Sequence, residues 1–384
     1  MKYSVLLPTR EGGRYLANAV RSILSDPYED MELVVSDNAN TDETSEILAS
    51  FAGDPRLKVV RTKELIPVHD NWNLTVKESS GDYILMLGDD DYLPPGYFTK
   101  MDKLLEQYDY PDCITYNYFV FVFPNAIDNE VSYYSNDAFK FGRKFPASGG
   151  VLSPKVRFSI LMDMFHFKAP FPLLMPPTLI ARKAIKRILG EMFQPPYPDY
   201  YALGSLLMLA ESWVYHPESL IIVGVTPHSH GSYQYSSDHE REVRGLEYLG
   251  INKEARAEEP GSPTINQVNI WLEKMKSNYG ARLDGIEMDR PNYLLRLVFY
   301  WYLEYRRGTL SLTSLLKRTR ELSVGDWLSM FFVGLSSATV WERFWREIKC
   351  MGCHRIQKIF IGAHPLSPDI TDIKKFALWL GERR

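Results

Sequence analysis

The chain has 384 residues, 45% of them hydrophobic and 24% charged, with a formal net charge of −4 at pH 7. That length suits two domains or slightly more, and the balance excludes a disordered, collagenous or coiled-coil chain. The negative net charge argues against a general nucleic-acid binder. Three cysteines, Cys113, Cys350 and Cys353, are too few for a disulfide framework and suit a reducing, cytosolic setting. The last two form a C-x-x-C outside any βαβ pattern and without a second pair, which argues against a zinc or redox role. No secretory signal is read at the start, and no uncharged run reaches the roughly 18 residues needed to span a bilayer.

The first 130 residues alternate apolar strands with helical spacing. Strands are predicted at Tyr3–Leu7, Glu32–Ser36, Leu57–Arg61, Tyr83–Leu87 and Cys113–Phe123, and helices at Tyr15–Leu24, after Asp42, at Asn71–Ser79 and at Tyr97–Tyr108. Such alternation with short connections predicts a mostly parallel sheet flanked by helices, with ligands beyond the carboxyl ends of the strands. From Asn125 to Pro177 the pattern weakens to irregular loops and short helices. Thr178–Ala181 then reads as a strand, Lys183–Gly190 and Tyr200–Glu211 as helices, and Leu220–Val225 as a strand. Residues Ser229–Asp238 read as a mobile loop, and 241–264 as a linker. From 265 to 384 the patterns are helical and the charge inverts: 19 Lys and Arg face 12 Asp and Glu, a net of +7, against −11 for the rest.

Three polar clusters follow three of the strands. Gly88-Asp89-Asp90-Asp91 packs like charges at a strand end, an arrangement that a divalent cation relieves; hard oxygen ligands suit Mg²⁺ or Mn²⁺. Ser36-Asp37-Asn38-Ala39-Asn40-Thr41-Asp42 offers Asp37 as an acceptor for a base N–H or ribose hydroxyl, and Asp42 as a helix cap. Pro8-Thr9-Arg10-Glu11 is the third.

In order and spacing these clusters, with Asn71-Trp72-Asn73 and Gly81-Asp82-Tyr83-Ile84, resemble the family 2 glycosyltransferases of GT-A fold over roughly Tyr3 to His230. The resemblance implies a Rossmann-like catalytic domain over 1–240 and a helical C-terminal extension over 265–384. It implies that Thr9, Arg10, Glu11, Asp37, Asn38, Asn71, Asn73, Asp89 and Asp90 bind a nucleotide sugar, UDP-linked most often in this family. Asp89 and Asp91 would form the D-x-D pair, with Asp91 a direct ligand of Mn²⁺ or Mg²⁺. Many relatives carry Asp where Gly88 stands, so which carboxylate meets the metal and which the ribose stays open.

The resemblance further implies a general base at a helix start about 100 residues on, matched by Asp199 in Tyr197-Pro198-Asp199-Tyr200, and a metal-binding His beyond the next strand, matched by His228 or His230. A single displacement with Asp199 as base gives inversion. The implied product is a polysaccharide or glycolipid made from a glycan or lipid-linked acceptor, in the cytoplasm or at the inner face of the cell membrane. Phe165, Phe167 and Phe171 are candidates for an acceptor pocket or for core. The basic, aromatic C-terminal helices are of a kind that lies on anionic membranes or packs as a subdomain. Rival readings are a sugar-phosphate nucleotidyltransferase, which usually opens with glycines before its Thr-Arg rather than after, and an inactive glycan-binding module.

Overall fold

In a computed structural model of the chain, the described residues are 2–127, 129–136, 145–169, 172–195, 197–229, 263–308, 310–338, 340–342, 345, 356–357, 360 and 362–383. β1 (Tyr3–Thr9), α1 (Gly13–Leu24), β2 (Met31–Asp37), α2 (Thr44–Ala49), β3 (Leu57–Arg61), α3 (Val68–Glu78), β4 (Tyr83–Met86) and α4 (Tyr97–Gln107) alternate as expected. The four strands are parallel, with β1 between β2 and β4 and β3 outside β2. β1, β2 and β4 are almost entirely buried, which is why they read as continuous apolar runs.

The chain continues through β5 (Cys113–Val122), β6 (Tyr133–Ser135), β7 (Gly150–Val151), α5 (Pro154–Phe165), β8 (Thr178–Ala181), α6 (Arg182–Ile185), α7 (Pro198–Leu209) and β9 (Trp213–Val225). β8 inserts antiparallel between β4 and β5, while β9 runs parallel to β5 along its other edge. The sheet is therefore mixed, though largely parallel. Later elements include α8 (Pro263–Tyr279), α9 (Arg290–Arg307), α10 (Leu312–Arg320), α11 (Val324–Ser336), β10 (His364–Pro365) and α12 (Ile373–Gly381).

Helices cover both faces. Val5, Leu7, Leu33, Val35 and Leu85 pack against α1 and α4, whereas Leu6, Val34, Ile84 and Met86 pack with residues of α5, α7 and α8. Successive residues of one strand go to opposite layers, as the pleat requires. Trp271, Leu272 and Met275 of α8 belong to this second layer, so the helical region does not begin as a separate body. α9 and α11 form their own cluster around Leu297 and Trp301. β10 pairs with β6, and α12 lays Phe376 on Phe121 with ring centroids 5.2 Å apart, so the chain returns to the sheet.

Several elements differ from the sequence reading. Pro154–Phe165 is a full helix, capped by the Ser153 hydroxyl accepting from the Val156 amide, with proline in its first turn. The helix expected at Lys183–Gly190 is one turn, Arg182–Ile185. β9 starts seven residues before the expected strand, with its register shifted opposite Tyr116–Tyr118. Phe165 and Phe167 are core, against Trp271 and Tyr293 at 5.3 and 5.2 Å, which removes them from an acceptor pocket. His230, Phe171, the loop at 231–238 and the C-x-x-C lie outside the described residues.

Candidate active site

Parallel register brings Thr9 opposite Asp37, and Gly88–Asp91 follow β4 at the same sheet edge. α7 ends just before Trp213, which pairs with Cys113 at the start of β5. Asp199 stands in the first turn of α7, at the opposite end of the helix from that junction.

The loop after β1 is fastened to the loop after β2. Glu11 has a left-handed φ of 53°. Its amide donates to Asn40 Oδ1 at 2.9 Å, and its carboxylate accepts from the Thr41 amide at 3.0 Å, the Thr41 hydroxyl at 3.1 Å and Arg10 at 2.6 Å. Asp42 accepts from the Gly13 amide at 2.8 Å and the Thr44 amide at 3.1 Å, so one carboxylate serves the first turns of α1 and α2. Burial works to raise its proton affinity, but these hydrogen bonds hold it below the ordinary carboxylate range. Asp37 accepts from the Asn40 amide at 3.0 Å and Ser45 at 3.2 Å, and pairs with Arg61 at 3.2 Å.

Asn38 and Asn73 are spent inside the protein, and Asn71 only in part, its Nδ2 being a buried donor with no partner among the described residues. Asn38 is fully buried and exchanges two 2.9 Å hydrogen bonds with the backbone of Ile66. Asn71 is buried, with its Oδ1 accepting from Ser36 at 2.5 Å. Asn73 turns away from the edge to bind Glu191 and both backbone groups of Phe193 at 2.8–3.1 Å.

The three aspartates have three different surroundings. Asp89 accepts from the Thr9 hydroxyl at 2.6 Å and lies against the start of α1, where a Cβ on Gly12 would come within 1.9 Å of its carboxylate. Asp90 accepts from Ser229 at 2.5 Å and Thr226 at 3.3 Å, which fastens the turn after β9 to it. Asp91, expected as a metal ligand, accepts from the backbone amides of Gly88 at 2.7 Å and Gly224 at 2.9 Å, one on each oxygen, and is 2% exposed. It straps β4 to β9. Gly88 also has a reason: a Cβ there would lie 2.8 Å from an Asp90 oxygen. Gly224, Thr226 and Ser229 were not singled out by sequence reasoning, because their partner is more than 130 residues away.

Burial, then the Asp90 charge, pushes Asp89 up to about 7. Burial raises Asp90 as well, and burial with its two neighbours raises Asp91 further. Asp199, in the first turn of α7 with the Tyr200 amide donating to it at 3.0 Å, is raised by burial to about 6. His228 is exposed in the turn that Asp90 holds, its amide donating to Thr226 at 3.2 Å.

The donor set fits a hard divalent cation at Asp89 and Asp90. Two adjacent carboxylates whose proton affinity is raised by burial, and for Asp89 also by the Asp90 charge, are stabilised when a cation replaces the missing proton. Among the described residues no three His, Cys, Asp or Glu side chains form a cage. Two carboxylates suit a cation that also takes oxygens from a substrate diphosphate.

Residues 4–162 match the model of glycosyl transferase family 2. A putative glycosyltransferase, EpsE, of Bacillus subtilis is 31% identical over 109 residues, 28% of this chain and 39% of that protein. The GalNAc(5)-diNAcBac-PP-undecaprenol beta-1,3-glucosyltransferase of Campylobacter jejuni is 31% identical over 110 residues, 28% of this chain and 36% of that one. The match thus spans about two-fifths of the length of these curated relatives. Among solved structures, Staphylococcus aureus TarS 1-349 in complex with UDP-GlcNAc has a TM-score of 0.46 at 16% identity, covering 78% of this chain and 81% of that one.

Proposed function

We infer that this chain, whose residues 4–162 belong to glycosyl transferase family 2, moves a sugar from a nucleotide-diphosphate sugar to an acceptor hydroxyl. The observation that carries this reading is the Asp89–Asp90 pair, held by Thr9 on one side and by Thr226 and Ser229 on the other, at the edge that also bears Asp37. Asp37, with Thr9, Arg10 and Glu11 around it, takes the base and ribose; UDP is the favoured nucleotide. Asp89 and Asp90 face the diphosphate. Asp89 and Asp90, with His228, would hold Mn²⁺ or Mg²⁺, which would supply positive charge where negative charge develops on the departing diphosphate.

Asp199 receives the acceptor proton. Its raised affinity, about 6, keeps it ionised at neutral pH yet basic enough to take that proton. The acceptor oxygen bonds to the anomeric carbon as the bond from that carbon to the diphosphate breaks. One displacement inverts the anomeric centre. The acceptor is a glycan or a lipid-linked sugar, and the product a polysaccharide or glycolipid; the name of the Campylobacter relative, with its PP-undecaprenol substrate, supports that class.

The test is nucleotide release from a panel of UDP-, GDP- and dTDP-sugars, with and without Mn²⁺ or Mg²⁺, for the wild type and Asp90→Ala. Slow metal-dependent release from one donor, lost in the variant, is the expected result. Absence of any nucleotide binding in the presence of either metal overturns the reading.

A further inference from the structure

α11 is apolar on both its sides. Met330, on the inner side, is buried among Leu297, Trp301 and their neighbours. On the outer side Val324, Trp327, Leu328, Phe331, Phe332 and Leu335 repeat at the 3-4 spacing of one helix face, and all are exposed. Val324 is 76% exposed, Phe331 60% and Phe332 66%. Single exposed apolar residues are ordinary, but a contiguous stripe of this kind marks a contact surface.

The helix is firmly built. Ser323 and Asp326 form a reciprocal capping box, and Asp326 also pairs with Arg290 at 3.2 Å. The stripe is therefore a rigid, presented surface rather than a frayed end.

Its surroundings identify the occupant. α10, the preceding helix, exposes Leu312 and Leu316 together with Lys317 and Arg320, and contains no acidic residue. Between residues 290 and 345 there are eight Lys and Arg against four Asp and Glu. Trp341 and Trp345, just beyond α11, are also exposed. Apolar and aromatic side chains flanked by cations match an anionic bilayer, where rings settle at the headgroup level and cations meet lipid phosphates. α11 has 13 residues, short of the roughly 20 needed to cross a membrane, and no helix among the described residues is long and apolar enough to do so.

We propose that α11 docks in the plane of an anionic lipid bilayer, its outer face sunk into the headgroup region and the α10 cations on the lipid phosphates. The proposal stands apart from the sugar-transfer reading.

The test is co-sedimentation of the full chain with vesicles of phosphatidylcholine alone and of phosphatidylcholine with 30% phosphatidylglycerol, followed by light scattering on the free protein. Binding to the anionic vesicles is expected, at least tenfold weaker for Phe331→Ser/Phe332→Ser and for Lys317→Gln/Arg320→Gln. The substituted phenylalanines are solvent-exposed, so melting curves should match the wild type. The proposal is overturned if the chain ignores anionic vesicles, if the phenylalanine variant binds them equally, or if neutral vesicles bind as well. It is also overturned if the wild type is a dimer that this variant dissociates, which would assign the face to a second copy.

Discussion

The Ser229 hydroxyl donates to the Asp90 carboxylate at 2.5 Å, across 139 residues of chain. The turn after β9 is thereby tied to a proposed cation ligand. Removing a donor from a charged acceptor costs about 1.5–3 kcal/mol. Ser229→Ala should weaken Mn²⁺ binding in the presence of nucleotide at least tenfold, since each ~1.4 kcal/mol is a factor of ten. Calorimetric titration checks this; an unchanged affinity would separate the turn from the site.

Two glycines should fail in different ways. A Cβ on Gly224 would sit 2.0 Å from the Asp90 carbonyl oxygen, and neither backbone can yield. Gly224→Ala should destabilise the fold by about 3 kcal/mol, read as an early thermal transition. A Cβ on Gly12 meets the Asp89 carboxylate at 1.9 Å, and a side chain can swing aside. Gly12→Ala should fold and melt near the wild type while losing most metal-dependent turnover.

Asp199 must be ionised to accept a proton, and burial raises it to about 6. The rate with acceptor should therefore climb with pH through about 6 and level off above it. Asp199→Asn should lower kcat by roughly 10²–10⁴, the usual range for general-base loss, and remove that limb while leaving nucleotide affinity intact. A variant that keeps the rising limb would assign the base elsewhere.

In the metal-free protein, the contribution of Asp89 to stability should fall as pH rises. Asp89 goes from 3.8 to about 7 on folding, so the native state binds the extra proton between those values. Stability contributed by the protonated form is complete near pH 4 and is lost toward pH 7. Asp89→Asn should match the wild type near pH 4 and exceed it near pH 7.5, by on the order of 4 kcal/mol. Denaturant melts at the two pH values measure this. Mn²⁺ should raise the wild-type midpoint and leave the variant's nearly unmoved.

Asn73 offers the opposite case. Its three hydrogen bonds all go to Glu191 and Phe193. Asn73→Ala should reduce stability by about 0.5–1.5 kcal/mol, the net worth of a part-buried hydrogen bond, without altering nucleotide affinity. A large loss of nucleotide binding at unchanged stability would return Asn73 to the site.

Much of the fold was legible because β1, β2 and β4 are buried on both faces and appear as uninterrupted apolar runs. The carboxylate cluster was legible for the same reason, standing where such a run stops. What Asp91 does was not, since its partner Gly224 is 133 residues away and glycine carries no chemical signature. Asn71 and Asn73 are two residues apart on one helix, yet only the packing reveals that one meets Ser36 and the other Phe193. The early part of β9 was hidden by His216-Pro217-Glu218, which sits where the pairing with β5 shifts register. Ser153 and Pro154 did announce α5, a signal that the surrounding prolines and glycines obscured.

The return of the chain to the sheet bears on how the protein is made. β6 gains its outer partner only when His364 and Pro365 pair with Tyr134 and Tyr133, some 230 positions later. Phe376 then closes over Phe121. β1 to β4 can pair as they leave the ribosome, since their partners lie within the first 90 residues. The far edge must wait, open, until the segment around His364 has been made. An unpaired strand beside bare aromatic rings is an invitation to misassociation. A chain that stops before His364 should therefore aggregate rather than merely be smaller.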